Sequence, residues 1–374
     1  MTRQAHLLSN SKANKRFALQ SSLIAIAAVA VVSAVTGCAN SGGTTAVSQA
    51  QLQIKNNNWA EAEKLLKADI ARYEKSDKKG DEKGDNVAMA PALTALGELY
   101  LKQGKNSEAE DLFERSTNIQ QRAMAPQLVA LTASLNGRGV ALTQQGKYEA
   151  AEQLLQQALS IREDNLEAGS LAIAESDNSL AQLYFQTGHY PQAEALYKEA
   201  QSIYEKRSGA ESAEAANVRN NLASLYYAQG KLQQAEPIFK WSVSVFERTS
   251  GPESLDVGNA CNNLAELLRA QKKYAEAEPY YLRALAIYEK AAGKDSASVA
   301  TTCNNLAILY RTQGRFTDAE PLYKRAIAIY DNGNGTNAQA ANVLENYAEL
   351  MQATGRVVEA KNLRSRATAK IAQN

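Results

Sequence analysis

Two features of this 374-residue sequence could do chemistry by residue type and spacing: a cysteine placed after an apolar run, and a file of asparagines returning at a fixed interval. Cys38 follows Val35-Thr36-Gly37, which puts a thiolate nucleophile at one defined position among small neighbours. Asn136, Asn178, Asn220, Asn262 and Asn304 stand 42 residues apart, and Asn221, Asn263 and Asn305 form a second file beside the last three. A carboxamide offers two donors and an acceptor, so it can pair with a peptide backbone whatever side chains that peptide carries. Asparagine is a mediocre helix former, and its regular return needs a reason beyond propensity. Catalytic constellations fare worse. Beyond residue 37 there is one histidine, His189, and a Ser-His-Asp or Cys-His site would have to use it. Gly137-Arg138-Gly139 lacks the third glycine of a dinucleotide fingerprint, and no strand pattern precedes it. No His, Cys or carboxylate cluster has metal-ligand spacing. The residues therefore point away from an enzyme, and to no cofactor and no metal.

The segment ahead of Cys38 gives that thiol its meaning. Lys12, Lys15 and Arg16 make a positive start, and Leu23 to Val35 is apolar except for Ser33. That run is shorter than the roughly 18–20 apolar residues of a spanning helix and has the form of a secretory signal. Its ending resembles the lipobox of bacterial lipoproteins. The resemblance implies a signal peptide over residues 1–37, acylation of Cys38, and durable membrane attachment through several acyl chains, since one chain holds only marginally. Ala39 stands where Asp would suggest retention at the inner membrane, so the implied address is the outer membrane of the cell envelope, facing the periplasm. An uncleaved signal anchor with an incidental cysteine is the bland alternative. Residues 38–46 are expected to be lipid anchor and flexible tether, with NSGGTT at 40–45. Without residues 1–37 the chain has 37 basic and 40 acidic residues, which gives no reason to expect a nucleic-acid partner.

The elements that position the asparagines are repeats. Gly104, Gly146, Gly188 and Gly230 stand 42 apart; the next steps fall on Lys272, Gly314 and Gly355. Around them Leu222-Ala223, Leu264-Ala265 and Leu306-Ala307 keep register, as do Ala235-Glu236-Pro237, Ala277-Glu278-Pro279 and Ala319-Glu320-Pro321. Leu222, Leu225 and Tyr226 recur at helical spacing, as do Ala235, Phe239, Val243 and Phe246 after the turn. Each unit thus reads as two helices joined at a left-handed glycine. The prolines are expected near the second helix's N-terminal turn, where a missing N–H costs at most one bond. A lone hairpin cannot bury its apolar face, so stability must come from stacking.

This small-large pattern resembles the tetratricopeptide repeat, and the NNLA…LY…AEP.Y strings with their 42-residue period resemble its kinesin-light-chain variety. The resemblance implies an all-α fold, an α–α superhelix or solenoid. A degenerate first repeat with a charged, mobile insert is expected over 47–87, and seven repeats ending in a capping helix over 88–374. Arg364 replaces the aromatic of Phe239, Tyr281 and Tyr323, as suits a last helix that nothing covers. Cys261 and Cys303, equivalent residues of successive units, would lie roughly 10 Å apart and beyond disulfide reach; they read as buried small hydrophobes.

In this family the first helices line the concave wall. The resemblance therefore implies that the asparagine files, with Tyr227, Arg269 and Arg311, face a peptide-binding groove. The expected function is a membrane-anchored, non-catalytic scaffold or adaptor with a monomeric body that binds a protein or peptide. An assembly lipoprotein of a pilus, secretion or outer-membrane complex is the alternative. Two points stay open in the sequence: the asparagines could instead stitch hairpins together, and Arg269 and Arg311 could be solvated surface charges. Glu266, Glu345 and Glu349 on the same wall would repel an acidic ligand, so its charge preference is open too.

Overall fold

The computed structural model describes residues 45–56, 58–77, 87–123, 128–333 and 335–372. The signal segment, Cys38, the tether up to residue 44 and the insert at 78–86 lie outside the described residues.

Those residues form paired helices: α1 (Ala46–Lys55) with α2 (Trp59–Asp77), α3 (Ala90–Lys102) with α4 (Asn106–Arg122), α5 (Leu128–Gln144) with α6 (Tyr148–Asn165), α7 (Leu171–Thr187) with α8 (Tyr190–Ser208), α9 (Ala213–Ala228) with α10 (Leu232–Thr249), α11 (Leu255–Ala270) with α12 (Tyr274–Ala291), α13 (Ala297–Thr312) with α14 (Phe316–Asp331), and α15 (Asn337–Ala353) with α16 (Val357–Ile371). They fall into two compact units, one ending at Val218 and the other beginning at Arg219, within α9.

Local sequence sets each boundary. Ser170, Ser212, Ser254 and Ser296 accept a backbone N–H three residues on, and Thr336 does the same within a capping box with Gln339. Each such cap is worth about 1 kcal/mol. The hairpin turns use the left-handed region at Gly104, Gly146, Gly188, Gly230, Gly314 and Gly355. Lys272 holds the same conformation at φ 65° without being glycine. Pro237, Pro279 and Pro321 sit further in than expected, inside their helices at the second turn. Each therefore deletes an internal hydrogen bond to the carbonyl four residues back.

In the unit ending at Val218, α2 packs on α3, α4 on α5 and α6 on α7, while the first helices α1, α3, α5 and α7 also touch in succession. Phe113 of α4 is fully buried against the backbones of two first helices; a Cβ at Gly97 or Gly137 would meet its ring at 2.9 or 2.4 Å. Gly139 likewise makes room for Leu155. Close packing is thus what the Gly137-Arg138-Gly139 string serves, and Arg138 reaches out to Glu114 at 2.8 Å. Arg162, 2 % exposed, pairs with Glu175 at 3.2 Å and donates to Ala172 O and Ser176 Oγ.

In the unit beginning at Arg219, α10 packs on α11, α12 on α13 and α14 on α15, and the first helices α11, α13 and α15 are in mutual succession. Cys261 and Cys303 are free thiols, buried, with burial pushing each up to about 11.

In six of the second helices a glutamate ties its hairpin to the next. In the first unit Glu63 accepts from Tyr100, Glu110 from Gln145 and Lys147, and Glu152 from Tyr184. In the second, Glu236 accepts from Gln271 and Lys273, Glu278 from Tyr310 and Arg315, and Glu320 from Tyr347 and Arg356. The recurring Ala-Glu string therefore encodes a latch between repeats, a role its spacing alone did not declare.

Candidate functional site

Touching first helices make one wall in each unit, and the asparagine files lie on it. Asn136 on α5 and Asn178 on α7 are buried, as are Asn220, Asn221, Asn262, Asn263, Asn304 and Asn305 on α9, α11 and α13. The two readings left open by the sequence divide by rung. Asn305 Nδ2 donates to Asn262 Oδ1 at 3.3 Å, and Asn346 Nδ2 donates to Asn304 Oδ1 at 3.0 Å, so these rungs stitch successive first helices. The equivalent rung between Asn263 and Asn220 is not made: both carboxamides are buried with neither donor nor acceptor satisfied. Leaving such groups unpaired costs about 1–3 kcal/mol each.

Arg269 and Arg311 are not solvated surface charges. Their side chains are 22 % and 23 % exposed, and both are paired. Arg269 grips Glu266 through Nη2 to Oε1 at 2.5 Å and Nε to Oε2 at 3.0 Å. The same carboxylate accepts from Tyr227 at 2.9 Å and from Tyr281 at 2.7 Å. Burial works to raise Glu266, but the guanidinium and the two phenols outweigh it and hold the carboxyl below its ordinary range. Glu266 is therefore saturated by its own neighbours and offers little repulsion to a ligand. Arg311 pairs instead with the exposed Glu349 at 2.6 Å. His189 is exposed at the head of α8, hydrogen-bonded to Thr187.

Sequence reasoning missed the acids on the other unit's wall. Glu98 of α3 is pushed up to about 8 by burial and by the neighbouring Glu175, and Asp177 up to about 7 by burial with Glu199 and Glu163 close by. Nothing in their spacing announces this, because Glu98 and Glu175 belong to non-adjacent segments that only stacking brings together.

Repeated helical hairpins with a polar first-helix wall define a helical-repeat scaffold. The tetratricopeptide repeat model matches residues 88–164, 170–248 and 256–332. The chain belongs to the tetratricopeptide repeat family. A comparison with curated sequences found no match. Among solved structures, the Rap conjugation gene regulator of plasmid pLS20, in complex with a Phr peptide, is similar at 14 % identity and TM-score 0.63, covering 87 % of this chain and 92 % of that one. The apo quorum sensor NprR from B. thuringiensis is similar at 15 % identity and TM-score 0.60, covering 87 % and 86 %. A putative kinesin light chain from Podosopora anserina with nearly identical TPR-like repeats has 23 % identity and TM-score 0.42, covering 55 % of this chain and 98 % of that one.

Proposed function

We propose that this chain is a non-catalytic scaffold that binds a protein or peptide on its first-helix wall, held at a bacterial membrane by acyl chains on Cys38. One observation carries the binding reading. Polar side chains of the wall, from Asn220 and Asn263 to Arg311, are built into helix packing yet retain hydrogen-bonding capacity that the fold does not use. Stability alone would favour apolar or fully paired groups there, since a half-satisfied network costs more than an apolar core. The Rap regulator that this fold resembles is itself complexed with a peptide, which supports the same use of the stack. The membrane address rests on the signal-like run and on the lipobox-like sequence ending at Cys38. Ala39 after that box, where Asp would mark retention at the inner membrane, favours the outer membrane of a two-membrane envelope.

The test is a photo-reactive amino acid placed at Ile308 on the wall or at Leu282, 46 % exposed on the second helix α12, followed by irradiation of intact cells. The reading expects adducts from position 308 and none from 282. Adducts from 282 alone would move the binding face to the second helices.

A further inference from the structure

The repeats can be compared with one another: a buried phenol without an acceptor recurs at Tyr197 and Tyr323, and the frame of Tyr323 is the one of the two that also carries arginines. In the first frame Tyr227, Arg269 and Tyr281 converge on the carboxylate of Glu266. Moving each residue on by 42 gives Arg269, Arg311 and Tyr323 around Ile308. Every donor of the set is kept, and one phenol has become a guanidinium, but the acceptor has become an alkyl group. The consequence is visible in the hydrogen bonds. Tyr323 is fully buried, the Arg311 guanidinium that reaches its hydroxyl is itself a donor, so the phenol proton has no acceptor, and Nε of Arg311 is likewise buried without one. Both guanidiniums act on that phenol, opposing the effect of its burial. The frame before these shows how the fold behaves when no carboxylate is wanted: Phe239 replaces the tyrosine, Ser224 replaces the glutamate, and no phenol is left unpaired there. Donor and acceptor are lost together in that frame; here only the acceptor is lost.

Building on the wall as the ligand face, we propose that the Ile308 frame takes a carboxylate from the ligand, the side chain of an aspartate or glutamate in a bound peptide, held by Arg311, Arg269 and the hydroxyl of Tyr323. Ile308 and Arg311 are partly exposed, so the wall is open beside the buried phenol. The native partner of Arg311, Glu349, is 46 % exposed and can swing into solvent when a ligand carboxylate arrives. Arg269 keeps Glu266 and contributes field to the incoming charge. A charge-assisted set of this kind selects an acidic residue over its amide, because only the ionised group accepts from every donor.

The test titrates the purified full chain, carbon-13-labelled at tyrosine, with an amide-capped pentapeptide bearing one central glutamate among alanines. The same peptide with glutamine and inorganic phosphate are the other two probes. Tyr323→Phe identifies the resonance to follow. The glutamate peptide is expected to shift it saturably and to bind about tenfold or more tighter than the glutamine peptide. Ile308→Glu, which gives this frame its own carboxylate as Glu266 does one repeat earlier, is expected to abolish the shift and to raise the melting temperature. Equal binding of the two peptides overturns the carboxylate assignment while leaving the wall as a binding face. No shift from either peptide, a shift with phosphate alone, or a lowered melting temperature in Ile308→Glu each overturns it as well. Failure of the wall itself is read separately, from the crosslinking at positions 308 and 282.

Discussion

Asp177 is an acid that the fold keeps out of water and Glu98 one that it partly buries, and their titration should govern one pH limit of the protein. Their carboxyls rise to about 8 and about 7, so the folded state holds protons that the unfolded chain releases near its ordinary carboxylate range. The stability this provides is complete below that range and is lost as pH rises through 7 to 8. Glu98→Gln should raise the melting temperature at about pH 9 and leave it unchanged at about pH 5, which thermal melts at the two values will check. Arg162 is the reverse case, a fully buried cation that holds Glu175 and two further acceptors. Arg162→Leu leaves those groups uncompensated and should cost about 3 kcal/mol in denaturant unfolding. Lys272 sits in left-handed backbone that glycine occupies in its sister turns. Lys272→Gly should therefore stabilise by about 0.5–1 kcal/mol, the strain of φ 65° outweighing the added chain entropy. The glycine period made Lys272 visible in the sequence as a departure. Arg162 was not visible, because a burying position for arginine depends on which helices close over it.

At the scale of the helix pair, the glutamate latch is the device that turns similar hairpins into a register. Glu236 is held down to about 2 by hydrogen bonds from Lys240, Gln271 and Lys273, and Glu320 down to about 2 by Lys324, Tyr347 and Arg356. A depressed folded value means the contribution is present above the ordinary glutamate range and disappears as pH falls from there towards 2. Glu236→Gln should cost roughly 1 kcal/mol near neutrality, a modest figure because its lysine partners are solvent-screened, and almost nothing at about pH 2. Arg283 and Arg325 add a second tie of the same period, to Glu247 and Pro252 O and to Glu289 and Lys294 O. Helix pairing, turn glycines and the apolar faces were legible in the sequence, since periodicity of 3.6 within a period of 42 leaves few other folds. The partners of the polar residues were not. A recurring glutamate and a recurring asparagine look alike as periodic polar positions, and only the stack shows that the glutamates tie second helices forward while the asparagines tie first helices in two rungs and leave a third unmade.

At the scale of the whole chain, α16 carries charge that the fold pairs: Arg366 and Lys370 reach Asp331 at 2.9 and 3.1 Å, and Arg364 stands half-exposed by Glu345. The proposed lipid anchor has its own test at this scale. Cys38→Ala should abolish incorporation of radiolabelled palmitate and shift the chain from membrane pellet to soluble fraction; unchanged labelling would remove the anchor from the account. The central claim is that the first-helix wall is occupied by a ligand in the cell. Cysteines placed at Glu349 on α15 and at Leu282 on α12 can be compared for reaction with a membrane-permeant maleimide, in intact cells and in the purified chain, because the native Cys261 and Cys303 are buried. The account predicts that the thiol at 349 is protected in cells and reactive once purified, while the thiol at 282 reacts alike in both. Equal reactivity at 349 in cells and in purified protein would contradict it.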